Sequence, residues 1–161
     1  MTRLQTDQKF IRYYKEVTGV TDVNMLEVAK LAKKMGWKMP EPKDPLDLLA
    51  KQFTNAARLE IRTDKKTGNP YRAYHSLFDA HDGEQPSTWI DIDDKPPRSK
   101  MLKSLVKRRE QMIGDGLQLT FDAMHWNTEN PKEEPIQMLM DLSEDVQWRM
   151  NAPKDEEKKA S

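Results

Sequence analysis

A mainly α-helical fold with a small antiparallel β-sheet is predicted by three features of this 161-residue chain. Apolar residues recur at helical spacing through residues 7–57. The period then shortens to alternation over residues 59–78, and again over 87–92. After Pro96-Pro97 helical spacing resumes and persists to residue 127.

The elements follow in order. A first helix is expected over residues 7–18, capped by Thr6 and ended by Gly19, with Phe10, Tyr14 and Val17 on one stripe. A second begins at Asn24, which stands at capping-box spacing from Glu27. Its buried face holds Met25, Val28, Ala29, Ala32 and Met35, and Gly36 follows its last turn. Residues 37–43 form a proline-broken connector. A third helix opens with Asp44 as cap and Pro45 at its first position. Leu46, Leu49, Ala50, Phe53 and Ala57 are expected to point inward.

Strands are expected at residues 59–63 and 71–78, joined by the turn-rich segment 64–70, with a third strand at 87–92. The region from residue 97 to 127 reads as one long helix or as two broken at Gly114-Asp115-Gly116, since each glycine disfavours a helix by about 1 kcal/mol relative to alanine. Ile136, Met138, Met140 and Leu142 alternate and suggest an extended segment. Ser143 can cap a last short helix ending near Met150. Trp89, Trp126, Trp148 and the methionines of 138–150 read most simply as core. Residues 1–94 are expected to form one domain, 95–152 a helical and extended region, and 153–161 a disordered tail.

Composition narrows the function classes. Hydrophobic residues make up 36% and charged residues 34%, so the core is small. Without cysteine, disulfides and thiolate metal sites are excluded. The chain opens with no apolar leader and has no run long enough to span a bilayer, so a cytoplasmic location away from membranes is expected. The 27 basic and 27 acidic residues cancel, but not locally. Residues 1–78 and 95–114 carry a basic surplus, and 79–94 and 115–161 an acidic one.

Three helices followed by a hairpin, over residues 6–78, resemble the winged helix-turn-helix superfamily in order and pattern. The connector before the third helix is longer than the family's tight turn. The resemblance implies that the third helix enters the major groove of double-stranded DNA and that the hairpin touches its backbone. On that helix Lys51, Gln52, Asn55 and Arg58 occupy the outer side, where Asn, Gln and Arg suit base edges and Lys suits phosphate. The hairpin would add Arg62, Lys65, Lys66 and Arg72. The expected role is DNA binding, as a regulator of transcription or of a mobile element.

A second basic block holds Arg98, Lys100, Lys103, Lys107, Arg108 and Arg109. It is either the solvated side of a packed helix, a partner for the acidic loop 79–94, or a second phosphate-contacting surface. The long apolar stripe of Leu102, Leu105, Met112 and Leu119, with Val106, Ile113 and Trp126, outruns a small domain, so a homodimer through this helix is expected. A protein–protein adaptor on the same scaffold is the alternative, and a metal-dependent nuclease the third reading. For the last, His75, Asp79 and His81, or Asp91 and Asp93, would supply ligands, but none stands at metal-site spacing. No P-loop, dinucleotide fingerprint or nucleophile elbow is present, so no cofactor and no catalytic residue is assigned.

Overall fold

The computed structural model describes residues 1–77 and 88–152. The protein is mainly α-helical, with two separate two-stranded antiparallel sheets where the sequence suggested one. The elements are α1 (Arg3–Thr18), α2 (Met25–Lys34), α3 (Pro45–Leu59), β1 (Ile61–Thr63), β2 (Pro70–Arg72), β3 (Tyr74–Ser76), β4 (Trp89–Asp91), α4 (Arg98–Glu129) and α5 (Ser143–Asn151), with a single 3-10 turn at Ile92–Asp94. They fall into two compact units, Met1–Lys51 and Gln52–Ser161, divided within α3. Among the described residues, no helix is long and apolar enough to cross a membrane.

The first unit is organised around Phe10. α1 starts one turn before its expected position because Thr2, not Thr6, is the cap. The Thr2 hydroxyl accepts from the Gln5 amide, and the Gln5 side chain accepts from the Thr2 amide. Asn24 caps α2 as expected, accepting from the Leu26 amide. Phe10, Val28 and Ala32 are buried together, with Ile11, Tyr14, Val23, Leu31 and Trp37 packed around them. Trp37 closes this core with its ring centroid 4.7 Å from that of Phe10. The core is narrower than the periodicity implied. Val17, Met25 and Met35 lie on apolar stripes yet are exposed, because the stripes are wider than the surface that meets them. Leu46, Leu49 and Phe53 of α3 are exposed as well. The cap at Asp44, which accepts from the Leu46 amide, sets where α3 begins.

The second unit holds both sheets. In the first sheet Ile61 pairs with Arg72 and Thr63 with Pro70. The tip between them is organised by Asp64, whose side chain accepts from the Lys66 and Thr67 amides. Gly68 takes the positive φ that closes the turn. The expected single strand 71–78 is divided at Ala73, which is fully buried. Its amide donates to Glu60 O and its carbonyl accepts from Ile92 N, so Ala73 joins the two ladders and its neighbours enter different sheets. In the second sheet His75 faces Ile90 and Ser76 faces Trp89. The start of the third expected strand at Ser87, its acidic approach and Phe78 lie outside the described residues, as does the tail 153–161.

α4 is a single helix of 32 residues that runs through Gly114 and Gly116 without a break. The segment after it returns along α4. Asn127 and Ile136 exchange two hydrogen bonds: the Asn127 amide donates to Ile136 O at 2.9 Å, and Ile136 N donates to Asn127 Oδ1 at 2.8 Å. Met140 Sδ lies 3.2 Å from where a Cβ on Gly116 would stand, so the missing side chain makes the seat for Met140. α5 begins without a side-chain cap, and Ser143 instead donates its amide to Asp141. Trp148 and Met150, expected in a core, are about 70% exposed. Trp126 and Met138 are also exposed, while Trp89 is half-buried.

Because the first unit depends on so few buried side chains, Phe10→Ala is expected to destabilise it by about 3 kcal/mol. Urea unfolding followed by helical circular dichroism, with Trp37 fluorescence as a local probe, measures the loss.

Candidate functional site

Arg62 is the most heavily bonded side chain in the second unit. From β1 its guanidinium forms a fork with Asp91 of β4, Nη1 to Oδ1 at 2.8 Å and Nη2 to Oδ2 at 3.0 Å. It also donates to Asp93 at 2.7 Å and to Glu60 at 2.8 Å. Tyr71 donates its hydroxyl to the same Asp93 oxygen at 2.8 Å, and the Tyr74 ring lies 5.5 Å beneath the guanidinium carbon. Arg62 therefore ties one sheet to the other. Its charge, which sequence reasoning directed to phosphate, is held by three carboxylates. Asp91 and Asp93, considered above as a metal-binding pair, are the carboxylates that hold it.

The chain brings a different set of cations together. Along α4, Ser104, Lys107, Arg108, Gln111 and Asp115 stand at steps of three and four, so they occupy one face. That face meets β3, where buried Ser104 donates its hydroxyl to Ser76 O at 2.8 Å. Between them is an open cleft of about 510 Å³. Arg58 enters it from the end of α3, Arg72 from β2, and Lys107 and Arg108 from α4. Tyr74, His75 and Trp89 form the sheet side, and among the described residues Asp115 is the one carboxylate on its lining.

Cations outnumber carboxylates among the described residues of this lining. Among the described residues, no carboxylate lies within ion-pair distance of Arg58, Arg72 or Arg108. Burial lowers the Arg108 pKa from its ordinary value, and the nearby Arg72 charge lowers it further. His75 is buried, and its Nε2 donates to Arg72 O at 2.9 Å, which fixes the proton on that nitrogen in the neutral ring. Nδ1 is then an acceptor, and it is the one buried side-chain polar atom without a partner among the described residues.

No family model fits this chain, and neither a curated protein nor a solved structure is similar to it.

Of the residues singled out from sequence, Arg58 and Arg72 line the cleft. Gln52 and Asn55 are exposed on α3 outside it, and Lys65 and Lys66 stand at the exposed hairpin tip. Lys51 belongs to the first unit. Lys107 and Arg108, noted only as part of a basic block, share the cleft, whereas Arg98, Lys100, Lys103 and Arg109 are exposed elsewhere. His75 and Ser104 were not joined to them. The signal available was the spacing of Ser104, Lys107, Arg108 and Gln111 on one face of the helix, opposite the apolar stripe of Leu102, Val106 and Ile113. Among the described residues no three His, Asp or Glu side chains gather to hold a metal ion, and Asp79 and His81 lie outside those residues.

The Arg62 contact and the Asp93 amide hold the Asp91 carboxyl below its ordinary value of 3.8. The unfolded chain therefore takes up that proton first as pH falls. The stabilisation is complete above 3.8 and is lost as pH drops through the lower folded value. Arg62→Met is expected to lower the melting temperature at neutral pH and to flatten its decline in acid. A residual slope remains from Asp64 and Asp141, which backbone amides also hold low. Melting curves from neutral pH to below 3.8 test both effects, and an unchanged acid slope would remove the clamp from this role.

Proposed function

We propose that the second unit binds double-stranded DNA, the activity expected of a regulator of transcription or of a mobile element. The observation that carries the reading is the convergence of Arg58, Arg72 and Arg108 from three separate segments on one cleft. Such a cluster is costly to fold, because like charges repel. An incoming polyanion relieves the repulsion and releases its own counterions. The exposed tip residues Lys65 and Lys66 would add backbone contacts, and Gln52 and Asn55 offer the amides suited to base edges. Arg62 takes no part, since its guanidinium is already held.

A neutral chain does not oppose this reading, because the basic and acidic residues occupy different stretches. Duplex affinity should fall steeply with salt. Arg72→Ala and Arg108→Ala should each reduce the slope of log affinity against log salt by about 0.9, and weaken binding to every sequence alike. Titrations of a labelled random duplex at two salt concentrations measure this. Unaltered affinity in both variants would remove the cleft from the interface.

A specific observation also favours assembly as a homodimer. Leu102, Val106, Ile113, Leu117 and Met124 are all exposed on α4. At 100° per residue they fall within about 60° of the helix circumference, on the side away from the cleft. α4 is roughly 48 Å long at 1.5 Å per residue, so the stripe is a seam of the kind that pairs helices. A second copy supplies an identical seam by two-fold symmetry. Light scattering should give a dimer mass for the intact protein and a monomer mass for Ile113→Asp/Leu117→Asp. A monomeric intact protein at micromolar concentration would exclude the dimer.

A further inference from the structure

A continuous duplex lying across this open cleft would offer it only individual backbone phosphates, and the cleft itself is of small-ligand size. Its volume of about 510 Å³ lies within the ~300–1,000 Å³ usual for small-ligand sites. A duplex presents its phosphates along a convex ridge, each with one charge. What enters a cavity of this size is a single nucleotide unit or the end of a strand.

We infer that this cleft is a socket for a phosphomonoester carried by a nucleotide: the phosphorylated end of a nucleic-acid strand, or a free nucleoside monophosphate. The socket deepens the DNA-binding reading but does not need it. Arg72 and Arg108 line the cleft together, and the Arg72 charge disfavours that of Arg108. Arg58 lines the same space, and Asp115 is the one carboxylate among the described lining residues. A monoester near neutral pH carries about −1.5 to −2, against −1 for a diester, so it is the phosphate that best neutralises the cluster. Guanidinium forks match its oxygens in pairs, and the hydrogen bonds are charge-assisted.

The sheet side suits the rest of a nucleotide. Trp89 and Tyr74 give the cleft an aromatic wall, as nucleotide sites often have. The two sources of the ligand share this chemistry, and experiment separates them.

The test uses the full-length protein and a labelled blunt duplex prepared with 5′-phosphate or 5′-hydroxyl ends, with a nucleoside monophosphate and its nucleoside as competitors. The phosphorylated duplex should bind about tenfold more tightly or better, the gain of one charge-assisted contact. That preference should vanish in Arg72→Ala/Arg108→Ala, and persist in part in Arg72→Lys/Arg108→Lys. Competition by the monophosphate but not the nucleoside supports a free nucleotide as ligand. A preference for phosphorylated ends without such competition supports a strand end. Equal affinity for the two duplexes overturns the socket and leaves duplex binding standing. Saturable binding of the monophosphate with no affinity for either duplex supports the socket and overturns duplex binding. Binding of none of these overturns both. The wild-type comparison requires no variant to fold.

Discussion

The second unit depends on one guanidinium. Its two sheets are only two strands each and could not stand alone, because a lone hairpin is marginal in water. Arg62 supplies what a wider sheet would have supplied. It joins β1 to Asp91 of β4 across 29 positions of sequence, and reaches Asp93 in the turn that follows. Ala73 makes the same connection through the backbone, with one hydrogen bond to each side. Arg72 and Tyr74 flank that residue and both line the cleft, so the cleft takes its shape from the junction. The clamp and the cleft thus divide the arginines: Arg62 is neutralised within the scaffold, and Arg58, Arg72 and Arg108 line the cleft.

Helix starts and stops were legible in the sequence because they depend on local chemistry. Asn24 and Asp44 cap where their side chains can reach an amide two residues on. The α1 start was missed because Thr2 and Gln5 make a reciprocal pair in which Gln5 also serves as a helix residue. Burial was much less legible. Periodicity marks a face as apolar, and says nothing of whether another surface meets it. Phe10 and Val28 found partners, while Met25, Phe53 and Leu117 did not. The division of strand 71–78 at Ala73 was invisible for a similar reason. Alternation continues through the bend, and only the distant partners Glu60 and Ile92 reveal it.

The site was half legible. Arg58 and Arg72 were marked by residue type and by their place on a helix and a hairpin. Arg62, marked on the same grounds, differs because carboxylates nearly thirty residues away close on it. Residue type cannot distinguish a cation that meets an acid from one that does not, since the difference lies in tertiary pairing. Lys107 and Arg108 had the opposite history. Within a block of six basic residues nothing local separates the two that line a cleft from those that face water. The position of β3 separates them, through the seat that Ser104 makes on Ser76 O.

Loops usually tolerate gain or loss of a residue, but the stretch between Ile136 and Met140 has lost that freedom. It is fixed to α4 at two points, the paired amide of Asn127 and the notch at Gly116. These points are eleven helix residues apart, about 16 Å. Four extended residues cover about 13 Å, and the Met140 side chain spans the remainder. Deleting one residue would leave Met140 short of its notch, and inserting one would place Leu139, now the most exposed of this segment's apolar side chains, nearer to it. The segment lacks regular secondary structure, yet its length is specified as closely as that of a strand in a sheet.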